Sequence, residues 1–183
     1  MAVTQASYRG RNDDGTESGA SWKAAANTLW TPGLVSTFRV RFLLQVATAS
    51  SSTGFVLMYS KNGGAYTAVT ASSLVVKCGA SSVADGTVTT KQLGAGTFVA
   101  GSFDKGDGAW AAVTVAAGSE TEMEAALQFV PADLKPTDTV SLRVYQTTSI
   151  ALGAYTNTPT LTFTAPNRRP VFRQQAVSRA ANW

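Results

Sequence analysis

The sequence predicts an all-β protein folded as an antiparallel sandwich, and three observations lead to that fold class. Charged residues make up only 14% of the 183-residue chain, against about 25% in an average domain, and Thr, Ser, Ala, Gly and Val take their place. Several short segments alternate apolar and polar residues, the period of two that a strand with one buried face requires. Turn residues separate these segments roughly every ten positions without intervening helical patterns, so neighbouring strands should pair antiparallel.

The clearest strand covers 36–46, where apolar and polar residues fall on opposite faces. Its inward residues are Phe38, Val40, Phe42, Leu44 and Val46, and its outward residues are Arg39, Arg41 and Gln45. The segment 121–130 has a composition that also suits a helix, but its period of two, with Glu122 and Glu124 outward, favours a strand. The same alternation predicts further strands at 139–147 and 158–166.

A β-hairpin is predicted at Lys61-Asn62-Gly63-Gly64, between the strand segments 54–60 and 65–70. Asn-Gly adopts the left-handed dihedral angles of a type I′ turn, which joins two antiparallel strands. Shorter strands are predicted at 72–79, 97–100 and 110–115, which gives about seven to nine strands. Together they define a predicted sandwich over 34–165.

Residues 1–33 are predicted to form an extended, irregular N-terminal arm. Trp22 and Trp30 are its main apolar residues. The segment 21–30 has two interpretations, because Lys23-Ala-Ala-Ala favours about two turns of helix, whereas an extended segment would use both tryptophans to pin the arm to the sandwich. The sequence leaves open whether the arm belongs to the sandwich.

Residues 166–183 are predicted to form a basic C-terminal tail. They contain four arginines and no acidic residue, whereas the rest of the chain balances eleven basic with eleven acidic residues. A basic and apolar segment of this length is expected to dock on a partner, with a frayed end as the alternative. The neutral body argues against specific nucleic-acid binding. The residues predicted to contact a partner are Arg168, Arg169, Phe172, Arg173 and Trp183 in the tail, with Trp22 and Trp30 in the arm.

Reactive side chains are scarce, and this argues against an enzyme. The chain has no histidine, the residue most used for proton transfer near neutral pH. Its single cysteine, Cys78, cannot form an intrachain disulfide and is expected to be a small buried hydrophobe, not a reactive thiol. Glu122 and Glu124 would lie about 6.8 Å apart on an extended strand, near a glycosidase spacing, but outward glutamates more often keep a strand soluble.

Two acidic clusters could in principle ligate a hard cation. They are Asp13-Asp14 with Glu17, and Asp104 with Asp107. Neither has the ligand spacing of a full calcium loop, and Asp-Gly pairs are typical of turns. We therefore predict no catalytic residue, no metal site and no cofactor.

The sequence also bears on location. No apolar run reaches the roughly 18 residues of a membrane span, and 1–15 lack the charged and apolar regions of a secretory signal. The chain is therefore expected to be made in a host cytoplasm without export and to have no membrane partner.

Most of the predicted sandwich resembles a known module. The segments FRVRFLLQV, FVLMYSKNGGAYTAVT, VADGTVTTKQLGAGTFVAG, TEMEAALQFVPADLKPTDTVSLRVY and YTNTPTLTF, about two-thirds of the chain, resemble an Ig-like module of tailed-phage structural proteins and large bacterial surface proteins. Its most suggestive parts are the NGG hairpin and the order E-x-x-L-Q followed by D-x-V-x-x-R-V. The resemblance implies an Ig-like sandwich used for display or contact.

A single copy of this module without an export signal resembles a head decoration (cement) protein or head fibre. That resemblance implies a virion protein on the capsid surface, bound to the major capsid protein or another virion protein, and assembled as a homo-oligomer (trimer or dimer). The alternative is a glycan-binding or adhesin module of a phage tail or bacterial surface, and a tail-tube or baseplate ornament ranks third. A glycan platform would draw on the aromatic residues Trp22, Trp30, Trp110, Tyr59, Tyr66, Tyr145 and Tyr155.

Overall fold

A computed structural model describes residues 2–48 and 51–163, without the side chains of 51–53. These ranges form twelve strands and one three-residue 3-10 helix, Pro131–Asp133. No helix among them is long and apolar enough to cross a lipid bilayer. The strands are β1 Val3–Asn12, β2 Phe38–Val46, β3 Ser51–Lys61, β4 Thr67–Ala68, β5 Val76–Cys78, β6 Thr97–Asp104, β7 Ala109–Val115, β8 Ser119–Phe129, β9 Thr139–Thr147, β10 Ile150–Ala151, β11 Ala154–Tyr155 and β12 Thr160–Thr162.

The strands form two six-stranded sheets. The first sheet has the order β11-β1-β2-β8-β5, with β6 also paired to β8. The second sheet has the order β10-β9-β3-β4, with β12 also paired to β9 and β7 to β3. The pairs β1–β11 and β6–β8 are parallel, and all other pairs are antiparallel. The predicted all-β sandwich is confirmed, and its Ig-like connectivity stays a prediction.

One hydrophobic core fills the space where the sheets face each other. The residues that the sequence places inward on β2, β8, β9 and β12 are buried in it. Burying each large aliphatic or aromatic side chain contributes about 1.5–3 kcal/mol, so this interface is the main source of stability. Its members include Phe38, Val40, Phe42, Leu44, Leu127, Phe129, Leu142, Val144, Leu161 and Phe163.

The predicted hairpin is confirmed between β3 and β4. Asn62 and Gly63 have φ values of 52° and 73°, the left-handed conformation that a type I′ turn needs at both central positions. The Gly64 amide donates to the Lys61 carbonyl oxygen at 2.9 Å and closes the turn. The strand interpretation of 121–130 is confirmed as well, since this segment lies within β8 apart from its last residue.

The prediction of an irregular arm over 1–33 is wrong at 3–12, because these residues form β1, an internal strand of the first sheet. β1 pairs with β2 along its whole length, from Val3 opposite Val46 to Asn12 opposite Phe38. Its sequence, VTQASYRGRN, carries few apolar residues because only Val3 and Tyr8 reach the core. The segment 21–30 forms no helix. It runs beside β1 through bends and a turn, and its Lys23 and Asn27 amides donate to the Gly10 and Tyr8 carbonyl oxygens, both at 2.9 Å.

Candidate functional site

The outer face of the first sheet, which points away from the core, carries charged side chains that are fully buried. Arg11 on β1, Arg39 and Arg41 on β2, and Glu122 and Glu124 on β8 each have 0% of their surface exposed. The sequence prediction that the β2 and β8 charges face solvent is therefore wrong. Two loops lie over this face and exclude water from it.

Glu124 lies at the centre of these charges and contacts three arginines. Its carboxylate oxygens are 2.6 Å from Arg41 Nε, 3.2 Å from Arg11 Nη1 and 3.3 Å from Arg39 Nη1. Glu122 adds an ion pair of 3.0 Å to Arg41 Nη1. We call the six residues of this cluster the buried ionic layer: Arg11, Arg39, Arg41, Glu17, Glu122 and Glu124.

Two segments, named here the cover loops, close over the layer: 13–21 and 79–96. The first supplies Glu17, whose carboxylate pairs with Arg41, and carbonyl oxygens of Gly15 and Thr16 that accept from Arg39. The second turns consecutive backbone N–H groups toward Glu122 Oε1, which accepts at 2.9, 2.6 and 3.1 Å from Gln92, Leu93 and Gly94. The sheet charges therefore hold the loops, and the loops supply many of the hydrogen bonds that buried charges need. Among the described residues, Arg11 Nη2 and Glu124 Oε1 still have no hydrogen-bond partner.

The pKa values within the layer follow from burial and pairing. Burial works against the charged form of Arg41, but Glu124 and Glu17 outweigh it and raise its pKa. Burial also opposes ionisation of Glu17, but hydrogen bonds from Arg41 and Thr90 hold its pKa below the usual value. For Arg11, burial dominates over Glu124 and lowers the pKa. With three arginines and three glutamates the layer carries no formal net charge.

A shallow cleft of about 470 Å³ opens between the cover loops. Glu17 is the one charged side chain in its lining, and its carboxylate is already taken by Arg41 and Thr90. The cleft therefore brings together no second reactive group. Its lining residues are Gly15, Thr16, Glu17, Ser82, Val83, Ala84 and Thr87.

The two tryptophans predicted as arm contacts have different surroundings. Trp30 is 9% exposed and packs between Tyr8 and Phe38, with both ring centroids 6.3 Å away. It lies so close to Gly10 that a Cβ there would meet its ring at 2.5 Å. Trp30 thus pins the 21–30 segment to the sandwich, and its burial argues against the predicted partner contact.

Trp22 is half-buried and lies beside the ionic layer. Its ring stacks against the guanidinium groups of Arg9 and Arg11, at 4.4 and 4.3 Å from the ring centroid. Such cation–π contacts fix the ring on β1. Its role in partner binding stays a prediction.

The outer face of the second sheet has an open aromatic cluster. Tyr66, Tyr145 and Tyr155 are half-buried, with ring centroids 5.6 Å apart for Tyr66–Tyr145 and 6.1 Å for Tyr145–Tyr155. The Arg143 guanidinium lies 5.0 Å from the Tyr66 centroid and 4.4 Å from that of Tyr155. We call these four residues the tyrosine cluster.

The aromatic residues considered from the sequence as one platform therefore lie in different places. Trp110 and Tyr59 are core residues, and Trp110 donates from Nε1 to the Glu124 carbonyl oxygen at 3.0 Å. Three of the tyrosines do converge on one surface, in the tyrosine cluster. Sequence reasoning treated them equally, because it does not show which outer face is covered.

The acidic clusters and Cys78 have local roles. Asp13 pairs with Arg39, and Asp14 accepts from Ser21, so these carboxylates do not converge with Glu17. Asp104 accepts from the amides of its own turn, including Gly108 at 3.0 Å. Within the described ranges, no group of three or more Asp, Glu or Cys side chains is placed to hold a metal ion.

Cys78 is buried, as the sequence predicted. Burial raises the pKa of its thiol to about 12, and the nearby Asp104 carboxylate adds to that effect. The thiol therefore stays protonated and unreactive near neutral pH.

The remaining predicted contact residues, Arg168, Arg169, Phe172, Arg173 and Trp183, lie outside the described residues. No family model, no curated protein and no solved structure matches the chain. The fold and the two outer faces define an all-β, two-sheet protein with a covered ionic face and an open aromatic one.

Sequence reasoning missed the buried ionic layer, although a signal for it was present. Two predicted strands carry opposite charges at alternate positions, Arg39 and Arg41 on one, Glu122 and Glu124 on the other. Opposite charges at matching positions of two strands favour direct pairing. In the structure Arg41 is the register partner of Glu124.

Proposed function

We propose that the chain is a non-enzymatic structural protein of a tailed-phage virion, and in particular a capsid decoration protein that binds the major capsid protein. The observation that carries the proposal is the buried ionic layer. The carboxylates closest to a catalytic grouping are Glu122 and Glu124 beneath the cover loops and Glu17 within one of them, and arginines pair with all three. A body whose clustered carboxylates are paired with arginines suits display and attachment better than turnover.

Attachment is assigned to the basic segment 166–183 and to surfaces of the body. The arginines of 166–183 can form charge-assisted hydrogen bonds, and Phe172 and Trp183 can serve as aromatic anchors. An extended segment covers a large partner surface for its length, and it loses conformational entropy only when it binds. The resemblance to Ig-like virion modules supports a capsid partner and a trimeric or dimeric assembly on the head.

The test is co-sedimentation with expanded phage heads. The full chain should sediment with heads that lack their own decoration protein, and a chain ending at Ala165 should not. A variant with Arg168→Gln, Arg169→Gln and Arg173→Gln should lose most of the binding, whereas the matched surface change Lys77→Gln should not. Full occupancy by the shortened chain would contradict the assignment to 166–183.

A glycan-binding module is the second candidate, and the tyrosine cluster favours it. Half-buried tyrosines next to an arginine are suited to a polar ligand with one apolar face. The two candidates are compatible, because the capsid contact is assigned to 166–183 and the glycan contact to the tyrosine cluster.

A further inference from the structure

We propose that the tyrosine cluster is a binding site for an acidic glycan, with Arg143 holding a sugar carboxylate and the tyrosine rings stacking on the sugar. The inference deepens the glycan-binding candidate and is independent of attachment to a capsid. It rests on three observations about the outer face of the second sheet.

The first observation is the state of Arg143. Each arginine of the buried ionic layer pairs with a carboxylate, whereas Arg143 has no ion pair among the described residues. Its Nε donates to Thr158 Oγ1 at 3.3 Å, a long hydrogen bond to a neutral group. A guanidinium offers five N–H donors in a planar fork that matches a carboxylate. Arg143 is therefore an anion-binding group whose anion is not supplied by the described residues.

The second observation is that Tyr155 and Arg143 are held in place. The Tyr155 hydroxyl donates to the Val144 carbonyl oxygen at 2.8 Å and accepts from the Leu152 amide at 3.0 Å. Arg143 itself lies against the Tyr66 and Tyr155 rings, which restricts its rotamers. A preorganised site loses less conformational entropy when a ligand binds.

The third observation is the chemistry of the remaining surface. Ser141 and Thr160 lie on this face and share a hydrogen bond of 2.8 Å between their hydroxyl groups. Hydroxyl groups can exchange hydrogen bonds with sugar hydroxyls, and aromatic rings can cover the apolar face of a pyranose. A carboxylate, hydroxyl groups and an apolar face occur together in uronic and sialic acids. A proline-rich peptide would use the rings alone.

The test is an NMR titration of the full chain with trigalacturonate, with neutral maltotriose as the matched sugar and a proline-rich decapeptide as the matched peptide. We expect shifts confined to the tyrosine cluster and its neighbours with trigalacturonate. Maltotriose should bind at least about tenfold more weakly, because charged hydrogen bonds are the stronger ones. Equal binding of maltotriose, or binding of the peptide alone, would overturn the proposal.

Variants locate the site. Arg143→Gln should weaken trigalacturonate binding by about tenfold or more, and Tyr145→Ala should weaken it as well. Arg9→Gln is the matched control, because Arg9 also stacks on a ring, Trp22, but lies on the first sheet. Unchanged affinity in Arg143→Gln, or an equal loss in Arg9→Gln, would overturn the assignment. Head co-sedimentation of Arg143→Gln should be unaffected, which separates this inference from the proposed capsid role.

Discussion

On the outer face of the first sheet, Arg39 and Arg41 lie among glutamates beneath two loops, whereas Arg143 on the second sheet lies among tyrosines at a half-exposed surface. All three arginines are outward residues of alternating strands. The first pair is neutralised within the protein, and its removal from water is offset by ion pairs and backbone hydrogen bonds. Arg143 donates from Nε to Thr158 and pairs with no carboxylate of the described residues. Similar strand patterns can thus build either a structural layer or a binding surface, depending on which loops cover them.

Glu124→Gln should show the largest effect of the covered face on stability. The change removes the carboxylate that contacts Arg11, Arg39 and Arg41. Arg11 then has no carboxylate partner among the described residues, whereas Arg39 keeps Asp13 and Arg41 keeps Glu17 and Glu122. We expect a loss of about 3–5 kcal/mol in the free energy of unfolding, measured by urea denaturation. A loss below about 1 kcal/mol would mean that the layer is solvated in solution.

Glu122→Gln should show a smaller and more local effect. Glu122 Oε1 accepts from three consecutive amides of the second cover loop, and a neutral amide oxygen accepts them more weakly. We expect a loss of about 1.5–3 kcal/mol, with faster hydrogen exchange at Gln92, Leu93 and Gly94 by NMR. Unchanged exchange at these amides would contradict the proposed role of Glu122 in holding the loop.

Acid should weaken the covered face through Glu17. Its pKa in the folded protein lies below the ordinary value of 4.5, so its contribution is complete above that value and is lost as the pH falls through the folded pKa. The free energy of unfolding should therefore fall less steeply with decreasing pH for Glu17→Gln than for the wild type.

Asp104 should affect the pH dependence of stability in the direction opposite to Glu17. Burial raises its pKa above 3.8, so its contribution is present at low pH and is lost as the pH rises through the folded value. In Asp104→Asn the free energy of unfolding should therefore fall more steeply with decreasing pH than in the wild type, the opposite of the change expected for Glu17→Gln. The same slope change in both variants would contradict these assignments.

Arg143→Gln should have the smallest effect on stability, although it has the largest expected effect on glycan binding. The change removes two cation–π contacts and one long hydrogen bond at a half-exposed site. We expect a loss of less than about 1 kcal/mol in urea denaturation. A loss as large as that of Glu124→Gln would show that Arg143 is a structural residue, contrary to the comparison.

Much of the fold could be predicted from local patterns. The period of two identified β2, β8 and β9, and Asn62-Gly63 identified the hairpin, because each signal depends on neighbouring residues. β1 was missed because it is stabilised by pairing with β2 and by Arg11, which lies beneath the first cover loop, and not mainly by its own apolar residues.

The candidate surfaces depended on distant parts of the chain and were harder to predict. Burial of Glu122 and Glu124 requires the cover loops, whose glycine-rich sequence gives no sign of where they lie. The tyrosine cluster combines Tyr66 from the end of a hairpin, Tyr145 from β9 and Tyr155 from β11, a strand of the other sheet. The alternation of apolar and polar residues describes one strand at a time, so it does not show that side chains from distant segments lie together.

The difference between the two outer faces can be measured directly from hydrogen exchange of the arginine Nε–H groups by NMR. Arg39 and Arg41 are fully buried, and Arg41 Nε donates to Glu124 at 2.6 Å. We predict that both Nε–H signals persist near neutral pH, whereas that of Arg143 exchanges rapidly with water and slows when trigalacturonate is added. Rapid exchange at all three arginines, or protection of Arg143 without a ligand, would contradict the account.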